Sequence, residues 1–215
     1  MAIPLIFWDV DTQHDFIRAD GKLYVGGSEE IVPALAALTE FAHARGIPIV
    51  ASADDHLPGH RELSDAPDFR DTFPPHCMRG TPGQLKIPET ALDHPLAIEP
   101  EPQDPAALAA RIAAHRGDFL LLKHWFDVFT NANVQVLLRT LAPTDIVLYG
   151  VALDVCNRYA IDGLLANWPT ARLWLVADAT RAIHPESVPA LLEDWRQRSV
   201  HVVESGAVLA GQVPA

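Results

Sequence analysis

Cysteine is scarce in this 215-residue chain: Cys77 and Cys156 are the only two, so a single disulfide is the most it could form. A lone structural bridge has little place in a reducing compartment, which leaves at least one thiol as a candidate for chemistry. Positive charge is scarce as well. Sixteen Lys and Arg stand against 28 Asp and Glu, a formal net charge of −12, and no stretch gathers enough cations to neutralise a row of phosphates. Nucleic acid is therefore not an expected partner. Long hydrophobic runs are missing too: residues 3–8 are too few for a signal peptide and lack its basic flank and cleavage site, and no later run approaches the ~20 residues of a membrane span. A cytoplasmic chain without a membrane partner is the expectation. Internal repeats and low-complexity tracts are also absent.

What remains is ordinary globular composition, 49% hydrophobic and 20% charged, in a length suited to one domain over residues 1–215. Residues 4–10 read as a buried strand. After a glycine-bearing loop, Ser28 is placed to cap a helix carrying Ile31, Leu35, Leu38, Phe41 and Ala42 at helical spacing, with Gly46 to end it. A second strand covers 47–51. From 54 to 103 the pattern lapses into a connection rich in Pro, His and Asp, too long for a compact domain unless it has a function. Asp104 and Pro105 then open a helix that ends near Gly117. Strands over 119–122, 145–149, 172–176 and 199–203 alternate with helices over 131–141, 154–166 and 185–198. Such alternation predicts a Rossmann-like, doubly wound α/β fold, with a mostly parallel sheet and helices on both faces.

Ligands of doubly wound folds bind outside the carboxyl ends of the strands, so polar residues just past an apolar strand are the first candidates. Asp11, Lys123 and Cys156 occupy such positions. A cysteine in the first turn of a helix meets unpaired N–H groups and the positive end of the dipole, which predicts a thiol pKa below the usual value of about 8.5, with Lys123 favouring the thiolate further. Asp11 would take the thiol proton and return it to a departing amine, a triad without histidine. Asp54 and His56 leave the second strand at alternate positions and so point the same way; His60, Glu62 and His76 follow. Carboxylate with two or three imidazoles suits Zn²⁺, Fe²⁺ or Mn²⁺.

The segments Asp11-Thr-Gln-His-Asp-Phe16, Asp54-Asp-His56, Phe73-Pro-Pro-His-Cys-Met-Arg-Gly-Thr-Pro-Gly83, Lys123 and Gly150-Val-Ala-Leu-Asp-Val-Cys156 resemble the isochorismatase-like cysteine hydrolases, on the nicotinamidase branch. The match in order and spacing spans nearly the whole chain. His14 stands where relatives commonly carry Asn. The resemblance implies a catalytic triad of Asp11, Lys123 and Cys156, and one divalent metal on Asp54, His56 and His76, zinc first and iron or manganese as alternatives. Two residues contend for the further ligand. Counting back from His76 without gaps favours Glu62, residue chemistry favours His60, and His60 is preferred here. Also implied are a cis peptide at Val151-Ala152, an oxyanion site from the N–H groups of Ala152 and Cys156, and Phe16 and Phe73 as pocket walls, although ordinary core positions would explain those two equally well.

The activity this implies is hydrolysis of nicotinamide to nicotinate and ammonia through a thioester, as in pyridine nucleotide salvage. Another small amide, maleamate-like or carbamoyl, or a noncatalytic binding role are the alternatives. A small-molecule amide and further copies of the same chain are the expected partners.

Overall fold

A strand buried on both faces reads as an unbroken apolar run, and Leu-Ile-Phe-Trp-Asp-Val is such a run. The computed structural model describes residues 3–213 and has seven strands: β1 (Leu5–Val10), β2 (Ile49–Asp54), β3 (Leu96–Ile98), β4 (Phe119–Lys123), β5 (Asp145–Val151), β6 (Arg172–Arg181) and β7 (His201–Val203). They form one sheet in the order β3-β4-β2-β1-β5-β6-β7, and every pairing is parallel. The helices are α1 (His14–Ile17), α2 (Val32–Ala44), α3 (Pro105–Ala114), α4 (Val134–Leu141), α5 (Cys156–Asn167), α6 (Val188–Gln197) and α7 (Ser205–Leu209). Among the described residues, no helix is long and apolar enough to cross a membrane.

Alternation along β1 divides the core. Ile6, Trp8 and Val10 join Leu137 and Leu138 of α4, Ile161 and Leu164 of α5 and Trp195 of α6, whereas Leu5 and Phe7 pack with Leu35 and Leu38 of α2. Each fully buried side chain of this size contributes about 1.5–3 kcal/mol relative to exposure. The chain runs outward from β1 through β2 to the edge strand β3, steps back to β4, then crosses to β5 on the other side of β1, so winding reverses beside β1. A crevice opens there at the carboxyl ends of the strands.

Several local expectations change. Ser28 does not cap α2: it lies in a short 3-10 turn and its hydroxyl donates to the carbonyls of Phe16 and Ile17 at 3.0 and 2.9 Å. Asp104 does cap α3, accepting from the Ala107 N–H at 2.7 Å. The 54–103 connection hides β3, a three-residue edge strand between Pro95 and Pro100 with one neighbour. Helix α4 starts at Val134 rather than 131, because Asn131 donates its side-chain amide to the carbonyls of Ile98 and Leu122 and so ties strand ends together. Strand β6 runs on to Arg181, with an irregularity in its pairing to β5 between Leu148 and Gly150.

Candidate active site and metal cluster

Parallel strands end on one side of the sheet, and that brings the candidate residues together. Asp11 follows β1, Asp54 and Lys123 are the register-matched last residues of β2 and β4, and Cys156 is the first residue of α5. Asp11 and Lys123 are fully buried, and Asp54 and Cys156 nearly so. Close passage of β5 beside β1 requires glycine at position 150: its φ is +110°, and a Cβ there would run into the Val10 carbonyl. The Val151-Ala152 peptide just beyond is cis. Cys156 opens its helix, so its N–H belongs to the turn that has no carbonyl four residues back.

Lys123 is the hub. Its Nζ lies 2.9 Å from Asp11 Oδ2 and 3.8 Å from Cys156 Sγ, and forms an ion pair with Asp54 Oδ1. Ser52 donates its hydroxyl to Asp11 Oδ1 at 2.6 Å. Gln13 acts as a strand neighbour to Asp54, accepting from its N–H at 2.7 Å and donating to its carbonyl at 2.8 Å. Neither Ser52 nor Gln13 was singled out in the sequence, although Gln13 lies inside the Asp11–Phe16 motif.

Burial sets the proton affinities. It pushes the Cys156 thiol well above its ordinary range, with Lys123 offsetting this only in part. That corrects the expected lowering: taking a thiolate out of water outweighs the helix start and the neighbouring cation. Burial also raises Asp11, despite Lys123, which makes it a stronger base than an exposed aspartate. Burial opposes a charged Lys123, yet Asp11 and Asp54 hold it protonated far above the usual lysine value.

Beside this hub, single donor atoms of Asp54, His56, Glu62 and His76 lie within 4.8 Å of one another. His76 Nε2 is 3.6 Å from Asp54 Oδ2 and 3.4 Å from Glu62 Oε1; His56 Nε2 is 3.8 and 3.9 Å from Asp54 and Glu62. Asp54 Oδ2, His56 Nε2, Glu62 Oε2 and His76 Nε2 are all buried without a hydrogen-bond partner. Four orphaned ligand atoms converging in the interior fit a divalent cation, whose charge two carboxylates and two neutral imidazoles would balance. Burial lowers His56 to about 4. It would lower His76 too, but the neighbouring Asp54 and Glu62 carboxylates raise that ring to about 10.

His60, preferred above as the further ligand, is not in this set; Glu62 takes its place among the candidate ligands. The chain turns between 57 and 63, with His60 N–H donating to Leu57 O and Leu63 N–H to His60 O. The turn places the His60 ring behind His56 and against His124, at 4.2 Å between centroids. Glu62 is brought back toward His76, and its carbonyl accepts from the Phe73 N–H at 2.7 Å.

Both groups border one small pocket, lined by Phe16, Leu23, Val25, Asp54, Glu62, Phe73, Phe126, Ala152, Val155, Cys156 and Ile183. Phe16 and Phe73 thus line the pocket, the Phe16 ring 5.3 Å from that of His76. Sequence reading missed Leu23, Val25, Phe126, Val155 and Ile183, which come from four separate stretches of the chain, none of them within a helix or strand. No arginine, lysine or histidine is among the lining residues.

A family model, the isochorismatase domain, matches residues 5–207. The chain belongs to the isochorismatase family. Within it, a nicotinamidase/pyrazinamidase of Mycobacterium tuberculosis is 27% identical over 199 residues, 90% of this chain and 95% of that one. A probable inactive nicotinamidase of Arabidopsis thaliana is 26% identical over 194 residues, 89% of this chain and 87% of its own length. The crystal structure of a pyrazinamidase of Pyrococcus horikoshii in complex with zinc shares the fold, with a TM-score of 0.70 at 23% identity, covering 93% of this chain and 98% of that one.

Proposed function

We propose that the chain is a metal-assisted cysteine amidohydrolase acting on nicotinamide. The observation that carries this reading is the convergence of a buried Asp11–Lys123–Cys156 group and four orphaned ligand atoms on one apolar cavity. Hydrolysis of an amide is supported by the Mycobacterium relative. A neutral substrate is supported by the lining: Asp54 and Glu62 face the cavity, the Lys123 ammonium is paired with Asp11 and Asp54 beside Cys156, and a carboxylated amide of the maleamate kind would find no basic side chain free to pair with it.

Asp11 takes the thiol proton of Cys156 as Sγ attacks the carboxamide carbon, a transfer that the raised thiol pKa makes necessary. The N–H groups of Ala152 and Cys156 receive the oxyanion. Asp11 returns the proton to the departing ammonia, then accepts one from the water that cleaves the thioester, releasing the acid and the thiol. Lys123 holds the two partners in register throughout. Asp54, His56, Glu62 and His76 would hold a divalent ion, zinc by the ligand types and the Pyrococcus example, iron or manganese as alternatives. When bound, it supplies an anchor for a pyridine nitrogen, fixing the reactive pose. Phe16 and Phe73 flank the ring.

The test is ammonia release from nicotinamide, benzamide and a short aliphatic amide, each with metal-loaded and metal-free enzyme, alongside elemental analysis of the untagged chain. We expect about one transition metal per chain and nicotinamide favoured over benzamide, which lacks the ring nitrogen, by several orders of magnitude in kcat/KM; losing a built-in polar contact can cost ~10⁴-fold. Equal rates for the two would remove the anchoring role, and an aliphatic amide outrunning both would move the assignment to another amide. No turnover of any amide would leave a noncatalytic binding protein; the Arabidopsis relative is itself named as probably inactive.

A further inference from the structure

The ligand set leaves out His60, yet its ring makes a directed contact. His60 Nδ1 lies 3.3 Å from the backbone nitrogen of Leu57 and 3.4 Å from Nδ1 of His56. A backbone N–H only donates, so His60 Nδ1 is the acceptor and carries no proton. The proton between the two rings must then sit on His56 Nδ1. A neutral His56 protonated there presents a bare lone pair at Nε2, the atom that faces Asp54 and Glu62. In the opposite tautomer, two lone pairs would oppose each other at 3.4 Å and an N–H would point into the ligand cluster. In His76 the Nδ1 proton is fixed by another route, donated to the Pro74 carbonyl at 2.8 Å, which leaves Nε2 as the ring atom toward the cluster. The His60 ring is itself braced against His124.

We infer that His60 is a positioning residue for the metal site, holding His56 in the tautomer that can ligate a divalent cation without itself touching the ion. The inference rests on the reading of Asp54, His56, Glu62 and His76 as a metal site, and is independent of which amide is hydrolysed. Partners that orient a ligating histidine typically matter about 10- to 100-fold in metal affinity.

His60→Asn places an amide oxygen where Nδ1 stood and keeps an acceptor for both donors, whereas His60→Leu removes it. The full-length chain and both variants, stripped of metal, are titrated with Zn²⁺ and with Mn²⁺ against a chromophoric competitor. The ¹⁵N-labelled metal-free proteins report the His56 tautomer through two-bond ¹H–¹⁵N couplings. In the wild type and in His60→Asn, His56 is expected to be protonated at Nδ1, with similar Kd values. In His60→Leu the tautomer shifts toward Nε2–H and Kd rises about 10- to 100-fold. His124→Leu, which removes the brace but keeps the acceptor, controls for packing and retains the wild-type tautomer. The inference is overturned if His60→Leu binds as tightly as the wild type, or if its His56 tautomer is unchanged. A wild-type chain that binds neither ion overturns the metal reading and this inference together, and that result is distinguishable from a failure of His60 alone.

Discussion

Carboxylates buried to the same degree lie at opposite ends of the sheet and meet opposite conditions. At the amino end Asp118 accepts from the backbone N–H groups of Ile49 and Asp93 at 2.8 and 2.7 Å and faces His43 Nε2 at 2.8 Å. Asp145 accepts from Arg172 at 2.7 Å and from the Trp174 indole at 2.9 Å. Neither has an oxygen among the orphaned atoms. At the carboxyl end Asp54 Oδ2 and Glu62 Oε2 are unmatched, and Asp11 and Asp54 share one lysine. Burial alone therefore does not mark a functional carboxylate. Satisfied groups tie the chain together; unsatisfied ones retain a demand for a cation or a proton, which is what binding and proton transfer draw on.

Damage at the carboxyl end should silence chemistry and spare the fold. Cys156→Ala is expected to abolish ammonia release with circular dichroism and melting unchanged, while Cys77→Ala, on the other core face, stays active. Asp11→Asn should lose ~10²–10⁴-fold or more, the usual cost of removing a general base. Wild-type turnover by Cys156→Ala would dissolve the contrast between the two ends.

The amino end should respond the other way. Asp118→Ala orphans two backbone N–H groups, at ~1–3 kcal/mol each, so we expect a loss of about 2–6 kcal/mol with kcat/KM of the folded enzyme nearly unchanged. Denaturant unfolding and steady-state kinetics on the same preparation measure both. A variant as stable as the wild type would show that the satisfied carboxylates do no structural task.

The smallest effect is a displacement in pH. Asp11 must be deprotonated to accept the thiol proton, and burial raises its pKa above the ordinary 3.8. Activity should therefore fall, on acidification, at a pH above the usual aspartate range, and an acid limb of kcat/KM at the ordinary value would count against Asp11 as the base.

How far the sequence reaches can be judged at particular residues. β1, β4 and β5 are legible because buried parallel strands need apolar runs, and Asp11, Lys123 and Cys156 are legible because parallel strands share one carboxyl end. β3 is not, since three residues between prolines carry no period. The thiol pKa was misjudged by reasoning from the helix start, a local feature, when desolvation depends on everything packed around Cys156.

By itself, then, the sequence determined the parallel sheet, the end at which chemistry would gather, and the residue types gathered there, because all three follow from periodicity and from what borders each run. Only the tertiary structure decided which of His60 and Glu62, two residues apart and both of metal-binding type, joins the cluster. That choice was made by a turn whose hydrogen bonds face one side chain into the cluster and the other behind it, and the direction a side chain takes from a turn is a property of packing, not of composition.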